Sequence, residues 1–269
     1  MTSESRILPL PDSGAHLVLG ADGRPRIRLR TGRFALIDAP PAELFDALET
    51  PDGGSDGAAS ALLDRLMLEV QERESVDALR RWPDERRDVC VLGAGALVDG
   101  LERVLQSWGA RVTVLDPESA LPDDTSLVVA YADDALDRRR WSDLDMLPLQ
   151  GVAWLRVHRE GESILIDPLA LDEHDPTSAQ VSARRLAASS APASTEAWQQ
   201  SGPAPATPVD DAAAVLVLAR LLQVILTWAR ADADLDHLRT TLWKLVPSTG
   251  SVTEHTVLPF PAAPPRLLR

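Results

Sequence analysis

Three short runs of alternating or β-branched apolar residues open the chain. HLVLG (16–20), PRIRLR (25–30) and RFALID (33–38) are separated by the turn segments ADGR and TG, a pattern that predicts consecutive strands. In RIRLR, Ile27 and Leu29 alternate with Arg26, Arg28 and Arg30, as in a strand with one dry and one charged face. After Pro40 and Pro41 the spacing becomes helical. Leu44, Phe45 and Leu48 mark a helix that stops at Pro51, TPDGGSDG is a loop, and a second helix from Ala58 to about Arg73 places Leu62, Leu63, Leu66, Met67 and Val70 on one face. Residues 1–80 therefore read as a small winged-helix-like α+β module.

A charged connector, DERR at 84–87, introduces a different rhythm over residues 86–269. DVCVLGAG, ALVDGLERVLQSWG and ARVTVLD spell strand, glycine turn, helix and a second strand ending at Asp116. SLVVAYADD (strand), ALDRRRWSDLDML (helix), GVAWLRVHR and SILIDPL (strands) continue the series. This alternation predicts an α/β sheet, parallel at first, closed by a hairpin that turns at Glu160 to Glu162. The Ala-, Ser- and Pro-rich stretch Ala187 to Pro208 reads as a mobile loop or lid. Ala212 to Trp228 is almost continuously apolar but carries Arg220 and Gln223, so it reads as a buried helix and not a membrane span.

Composition narrows the function. A formal net charge of −14 with a single lysine, Lys244, argues against nucleic acid, which needs clustered cations. The one cysteine, Cys90, lies within VCVLG, which excludes a disulfide framework and a thiolate zinc site and predicts a buried structural thiol. The first residues lack the basic and apolar regions of a signal peptide, so the expected location is the cytoplasm, without membrane association. His16, His158, His174, His237 and His255 show no metal-ligand spacing, and no G-x-S-x-G elbow is present. His174 in LDEHDP reads as part of a solvated acidic loop. Trp108, Trp154, Trp228 and Trp243 fall in helix or strand patterns and are expected in the core. Trp198, in the Ser/Pro-rich stretch, is the candidate for a partner contact.

The glycine turn carries the one nucleotide-like device. Gly93 and Gly95 fill the first two places of a G-x-G-x-x-G turn, whose amides and helix start can receive phosphate. The third place is Val98, and Asp99 follows in the first helical turn, where a carboxylate favours the helix dipole but repels phosphate. Asp116 stands where a ribose-binding acid belongs. Two readings stay open: a nucleotide-binding enzyme, adenylating or NAD-dependent, or a turn kept for the fold.

The order VLGAG, VTVLD, LVVAYADD, DRRRW, a strand hairpin and a late apolar helix resembles the E1/ThiF-like adenylating fold, and the closing LRTTLWKLVPSTGSVTEHTVLPFP is similar to ThiF-like proteins of azole-forming peptide biosynthesis. The resemblance implies a Rossmann-type sheet, with Asp133 at the family's magnesium-binding acid and Arg138 or Arg139 at a following arginine. It also exposes departures. PESALPDDTS after Asp116 lacks the family's phosphate-neutralising Arg and Lys. Thr177 and Gln180 stand near zinc-ligand cysteine positions, and PFPAAPP has no second pair. The expectation is a catalytically silent protein that has lost the ATP and zinc sites, so that Gly93, Gly95, Asp116 and Asp133 are a vestigial nucleotide site with no catalytic residue.

The first module in turn resembles the leader-peptide recognition element of ribosomal-peptide modification systems, in which a leader adds as a strand beside the third strand and over a helix. Carried over, the peptide-binding residues are Arg33, Phe34, Ala35, Leu36 and Ile37 at the edge and Leu62, Leu63, Leu66 and Val70 on the helix. Arg184 and Arg185 could contact an acidic leader or solvate a helix end. The resemblance implies a precursor leader and a YcaO-type cyclodehydratase as partners, in azole or thiopeptide antibiotic biosynthesis, and allows a homodimer. A dimeric scaffold without peptide recognition is the remaining alternative.

Overall fold

The computed structural model describes residues 5–10, 13–30, 32–37, 61, 64–73, 82–203, 205 and 207–260. The chain divides into two compact units, residues 1–80 and 81–269.

The first unit holds a four-stranded antiparallel meander: β1 (Arg6–Pro9), β2 (His16–Leu19), β3 (Pro25–Arg28) and β4 (Phe34–Leu36), in that order across the sheet. The apolar pattern anticipates three of these strands. β1 is short and ends at a proline, which hides it in the sequence, but its Leu8 stands opposite Leu17 of β2. The register places Leu8, Leu17, Ile27 and Ala35 in one row across the sheet, so period-two alternation gives every strand the same dry face. Residues 64–73 form helix α1. Its Leu66 and Val70, one turn apart, join Leu10, Leu17, Ile27, Leu29 and Ile37 in the core. The expected positions Leu62 and Leu63, and the helix expected after Pro41 that a winged-helix-like module requires, lie outside the described residues.

The second unit is a three-layer α/β structure. Four parallel strands lead it: β5 (Asp88–Leu92), β6 (Arg111–Leu115), β7 (Leu127–Ala132) and β8 (Ala153–Glu160). β9 (Ser163–Ile166), β10 (Thr241–Val246) and β11 (Ser251–Thr256) then add antiparallel, giving the order β11-β10-β9-β8-β7-β5-β6. β5, β7 and β8 are buried on both faces, as parallel strands under two helical layers must be. Val89, Val91, Leu127, Val129, Leu155 and Val157 pack with helix α2 (Ala96–Ser107) and the long helix Asp211–Arg230. Alternate residues Cys90, Leu92, Val128 and Ala130 pack on the opposite face with Trp141, Leu144, Leu147 and Trp154. The predicted hairpin closes as expected, with Glu160 opposite Ser163 and Gly161 at φ 60°. Cys90 is buried, and burial pushes its thiol up to about 11.

Three expectations are corrected. ALDRRRWSDLDML is not one helix: only helix α3 (Trp141–Leu144) forms. Asp134 accepts from the amides of Leu136 and Asp137, Asp137 accepts from the amide of Asp133, and residues 135–140 form turns. The expected loop Ala187 to Pro208 contains most of a helix, Pro192–Ser201, with proline at its first position. With helix α4 (Ser178–Ala188) before it, this helix is α5, and the long helix is α6. Trp198 therefore sits on a helix. Trp108 caps α2 and is 41 % exposed, while Trp154, Trp228 and Trp243 are core residues. α6 is long and apolar enough to cross a membrane, yet its Val217, Leu221, Val224, Ile225 and Trp228 lie in the core beside the sheet.

Candidate functional site: an open strand edge over an apolar groove

Among the described residues β4 ends the sheet order of the first unit, and its outer side has no strand paired to it there. Two hydrogen bonds fix which groups face outward. The Leu29 amide donates to the Arg33 carbonyl (2.8 Å) and the Ile37 amide to the Pro25 carbonyl (3.1 Å). Because paired and unpaired positions alternate along an antiparallel ladder, the main chains of Arg33, Ala35 and Ile37 turn toward β3 and those of Phe34 and Leu36 turn away. Their side chains are also open, Phe34 57 % and Leu36 54 % exposed. An exposed apolar edge of this kind is a template for another strand.

Below this edge lies a groove of about 260 Å³ between β4 and α1, floored by Ile27, Leu29, Ala35, Ile37, Leu66 and Val70. Its charged rim is Arg65, Glu69 and Arg73, of which Glu69 and Arg73 pair at 2.5 Å. Of the edge residues expected from sequence, Ala35, Leu36 and Ile37 thus meet Leu66 and Val70 in one groove, whereas Arg33 and Phe34 are exposed beside it. Ile27, Leu29, Arg65 and Arg73 were not anticipated as site residues. The alternation in RIRLR places Ile27 and Leu29 on the dry face, but only the packing of α1 makes that face a groove.

The glycine turn has the opposite character. The Gly93 amide donates to the Leu115 carbonyl at 3.0 Å, extending the β5–β6 pairing. Gly93 has φ 124°, and a Cβ there would sit 2.6 Å from the Tyr131 carbonyl oxygen. Gly95 (φ 102°) is the N-cap of α2, its carbonyl accepts from the Asp99 amide at 3.0 Å, and Val98 is a core residue. Asp116 is exposed, and its carbonyl closes a turn with the Ser119 amide. Asp133 accepts from the Tyr131 hydroxyl (2.7 Å) and from Arg159 (3.2 Å). Burial first, then the Asp133 hydrogen bond, pushes the Tyr131 hydroxyl well above its ordinary range. Arg138 is committed to Glu160 and to the carbonyls of Asp134 and Gln199. Thr177 and Gln180, near the family's cysteine positions, form a reciprocal capping box at the start of α4.

Around Arg156 the polar interior of this unit is paired within itself. Arg156, fully buried, donates to Asp167 and Asp145 (2.9 Å each) and to the Pro176 carbonyl (2.9 Å). His158 lies 3.3 Å from Asp167 and edge-on to Trp141. Burial alone would raise the Asp167 carboxyl, but His158 and then Arg156 outweigh it and hold it at about 2. Arg185 is paired with Glu160, and Arg184 lies over the Phe260 ring. His174 is exposed, whereas neighbouring Asp175 is buried and bonded to Arg239 and the Leu171 amide.

These features define a class: a mixed α/β sheet unit preceded by a small strand-and-helix unit with an open edge. Neither the known family profiles nor the curated proteins contain a match to the sequence. Among solved structures, the chain shares its fold with a chain of the E. coli microcin synthetase McbBCD complex (15 % identity, TM-score 0.51, covering 97 % of this chain and 100 % of that one). The same complex with pro-MccB17 bound gives 12 % identity and TM-score 0.53, over 97 % and 98 %. A heterocyclase in complex with substrate and cofactor matches at 15 % identity and TM-score 0.51, over 94 % of this chain but 37 % of the longer one.

Proposed function

We propose that this protein is a leader-binding, catalytically silent partner that delivers a ribosomal precursor peptide to an ATP-dependent YcaO-type cyclodehydratase for azoline or azole formation. The observation that carries this reading is the pairing of an unpaired β4 edge with an apolar groove against α1. An extended leader would hydrogen-bond to the outward main chain of Phe34 and Leu36 and drop alternate apolar side chains onto Ala35, Leu66 and Val70, the arrangement of β-augmentation. Its contribution to the reaction is effective concentration: the core peptide, tethered by its leader, meets the partner's active site as if at high concentration.

Two further observations support the silent role. The turn at Gly93 uses its amide for the sheet, and the cation nearest the expected acid, Arg159, is already bonded to Asp133. Adenylyl transfer needs groups free to stabilise developing phosphate charge. The shared fold with a chain of a synthetase complex bound to its pro-peptide, and with part of a longer heterocyclase, supports the same setting. Calorimetry of the full chain with a precursor and with the same precursor lacking its leader tests the reading: the leaderless form is expected to bind at least tenfold more weakly, and equal affinities would overturn it.

A further inference from the structure

The charge around the β4 edge is out of keeping with the chain as a whole. Against a net charge of −14, residues 24–33, RPRIRLRTGR, hold five arginines and no acid. The register sorts them. On the outer face of the sheet Arg28 stands opposite Phe34 and Arg26 opposite Leu36. Arg26 is bound to Asp22 at 2.5 Å, whereas Arg28 is exposed and has no carboxylate partner among the described residues. At the groove rim Glu69 and Arg73 pair, which leaves Arg65 without a carboxylate partner among the described residues.

A strand added beside β4 lies two strand spacings, roughly 9.6 Å, from β3. A glutamate on its outer face can lay its methylenes over Phe34 or Leu36 while its carboxylate and the Arg28 guanidinium close the remaining distance between them. Its inward neighbours face the apolar floor.

We infer that the segment received by β4 is acidic, with apolar side chains turned into the groove and carboxylates turned outward to Arg28, and with a further carboxylate at the rim meeting Arg65. This rests on the peptide-binding reading above and adds to it the class of peptide: an extended strand alternating apolar and acidic residues. The same arginines reject a basic segment, so charge selects among peptides that the main chain alone would accept.

The test uses the full chain and synthetic twelve-residue peptides, labelled for fluorescence polarisation, in which Leu or Val alternates with Glu, with Gln or with Lys. The Glu peptide is expected to bind at least tenfold more tightly than the Gln peptide, and the Lys peptide not at all. Raising the salt from 50 to 500 mM should weaken the Glu peptide alone. Arg28→Ala combined with Arg65→Ala, both surface changes, should bring the Glu and Gln peptides to equal affinity, and Arg28→Glu should favour the Lys peptide over the Glu peptide. Equal binding of the Glu and Gln peptides to the unaltered protein would overturn the charge preference and leave the groove reading standing. No binding by any of the peptides would overturn both.

Discussion

At the β4 edge the main chains of Phe34 and Leu36 point away from the sheet, and Ile27, Leu29, Leu66 and Val70 floor an open groove. At the Gly93 turn the amide is bonded to Leu115, the next strand's carbonyl lies where a Cβ would be, and Asp133 is held by Tyr131 and Arg159. The first place leaves outward main-chain groups at a sheet edge, while at the second the Gly93 amide and the Asp133 carboxylate are already bonded within the fold. A motif therefore has to be judged by which of its donors remain free. On the function proposed above, the edge, with no sequence fingerprint, is the better receptor.

The contrast can be broken most forcefully in the interior of the second unit. Arg156→Ala strands Asp167 and Asp145 and should cost about 3–5 kcal/mol, read as a lower denaturant midpoint with leader affinity unchanged in the protein that remains folded. A smaller loss would mean that the buried network is not closed. Gly93→Val places a Cβ against the Tyr131 carbonyl at a positive φ and should cost at least about 3 kcal/mol, lowering the thermal midpoint by roughly 6 °C or more. If it unfolds no earlier than the unaltered protein, the turn is not part of the framework.

Acid sharpens the same point. Asp167 is depressed from 3.8 to about 2, so it contributes stability in full above about pH 4, and that contribution, about 2 kcal/mol, is lost as pH falls toward 2. Denaturant titrations at pH 5, 3 and 2 should show the loss, and Asp167→Asn should remove this part of the pH dependence. At the edge, Leu36→Pro deletes an outward donor without touching the β3 ladder. Leader affinity should fall at least tenfold, about 1.4 kcal/mol, while stability changes little, since edge strands accept proline. The smallest expected effect is none: a nucleotide bound at 100 times its dissociation constant would add roughly 2.7 kcal/mol, and ATP with magnesium, or NAD, should leave the thermal midpoint where it is. A clear rise would favour the enzyme reading.

Much of this was legible in the order of residues. The parallel β5–β6–β7–β8 series reads directly from its apolar runs, because strands covered on both faces must be apolar throughout, and the Glu160 to Glu162 turn reads from its glycine. The failures are local. PASTEAWQQS looks like loop by its serine and proline, yet folds as α5, where Pro192 suits a first helical turn. ALDRRRWSDLDML has helical spacing, yet residues 135–140 form turns and only Trp141–Leu144 is helix. Trp108 fits a core pattern, but falls at the end of α2, where the helix turns into solvent.

What the sequence determined by itself is the alternation that gives each strand its dry face, the arginine run at 24–33 and the glycines that permit two positive-φ turns, because these follow from side-chain chemistry and local sterics. What only the tertiary structure decided is which of these features is available. Whether an amide faces a neighbouring strand or open space depends on sheet order, and sheet order is set by contacts between residues far apart in the chain. That is why Gly93 is closed by Leu115 and Tyr131, while Phe34 and Leu36, ordinary in sequence, present the open edge.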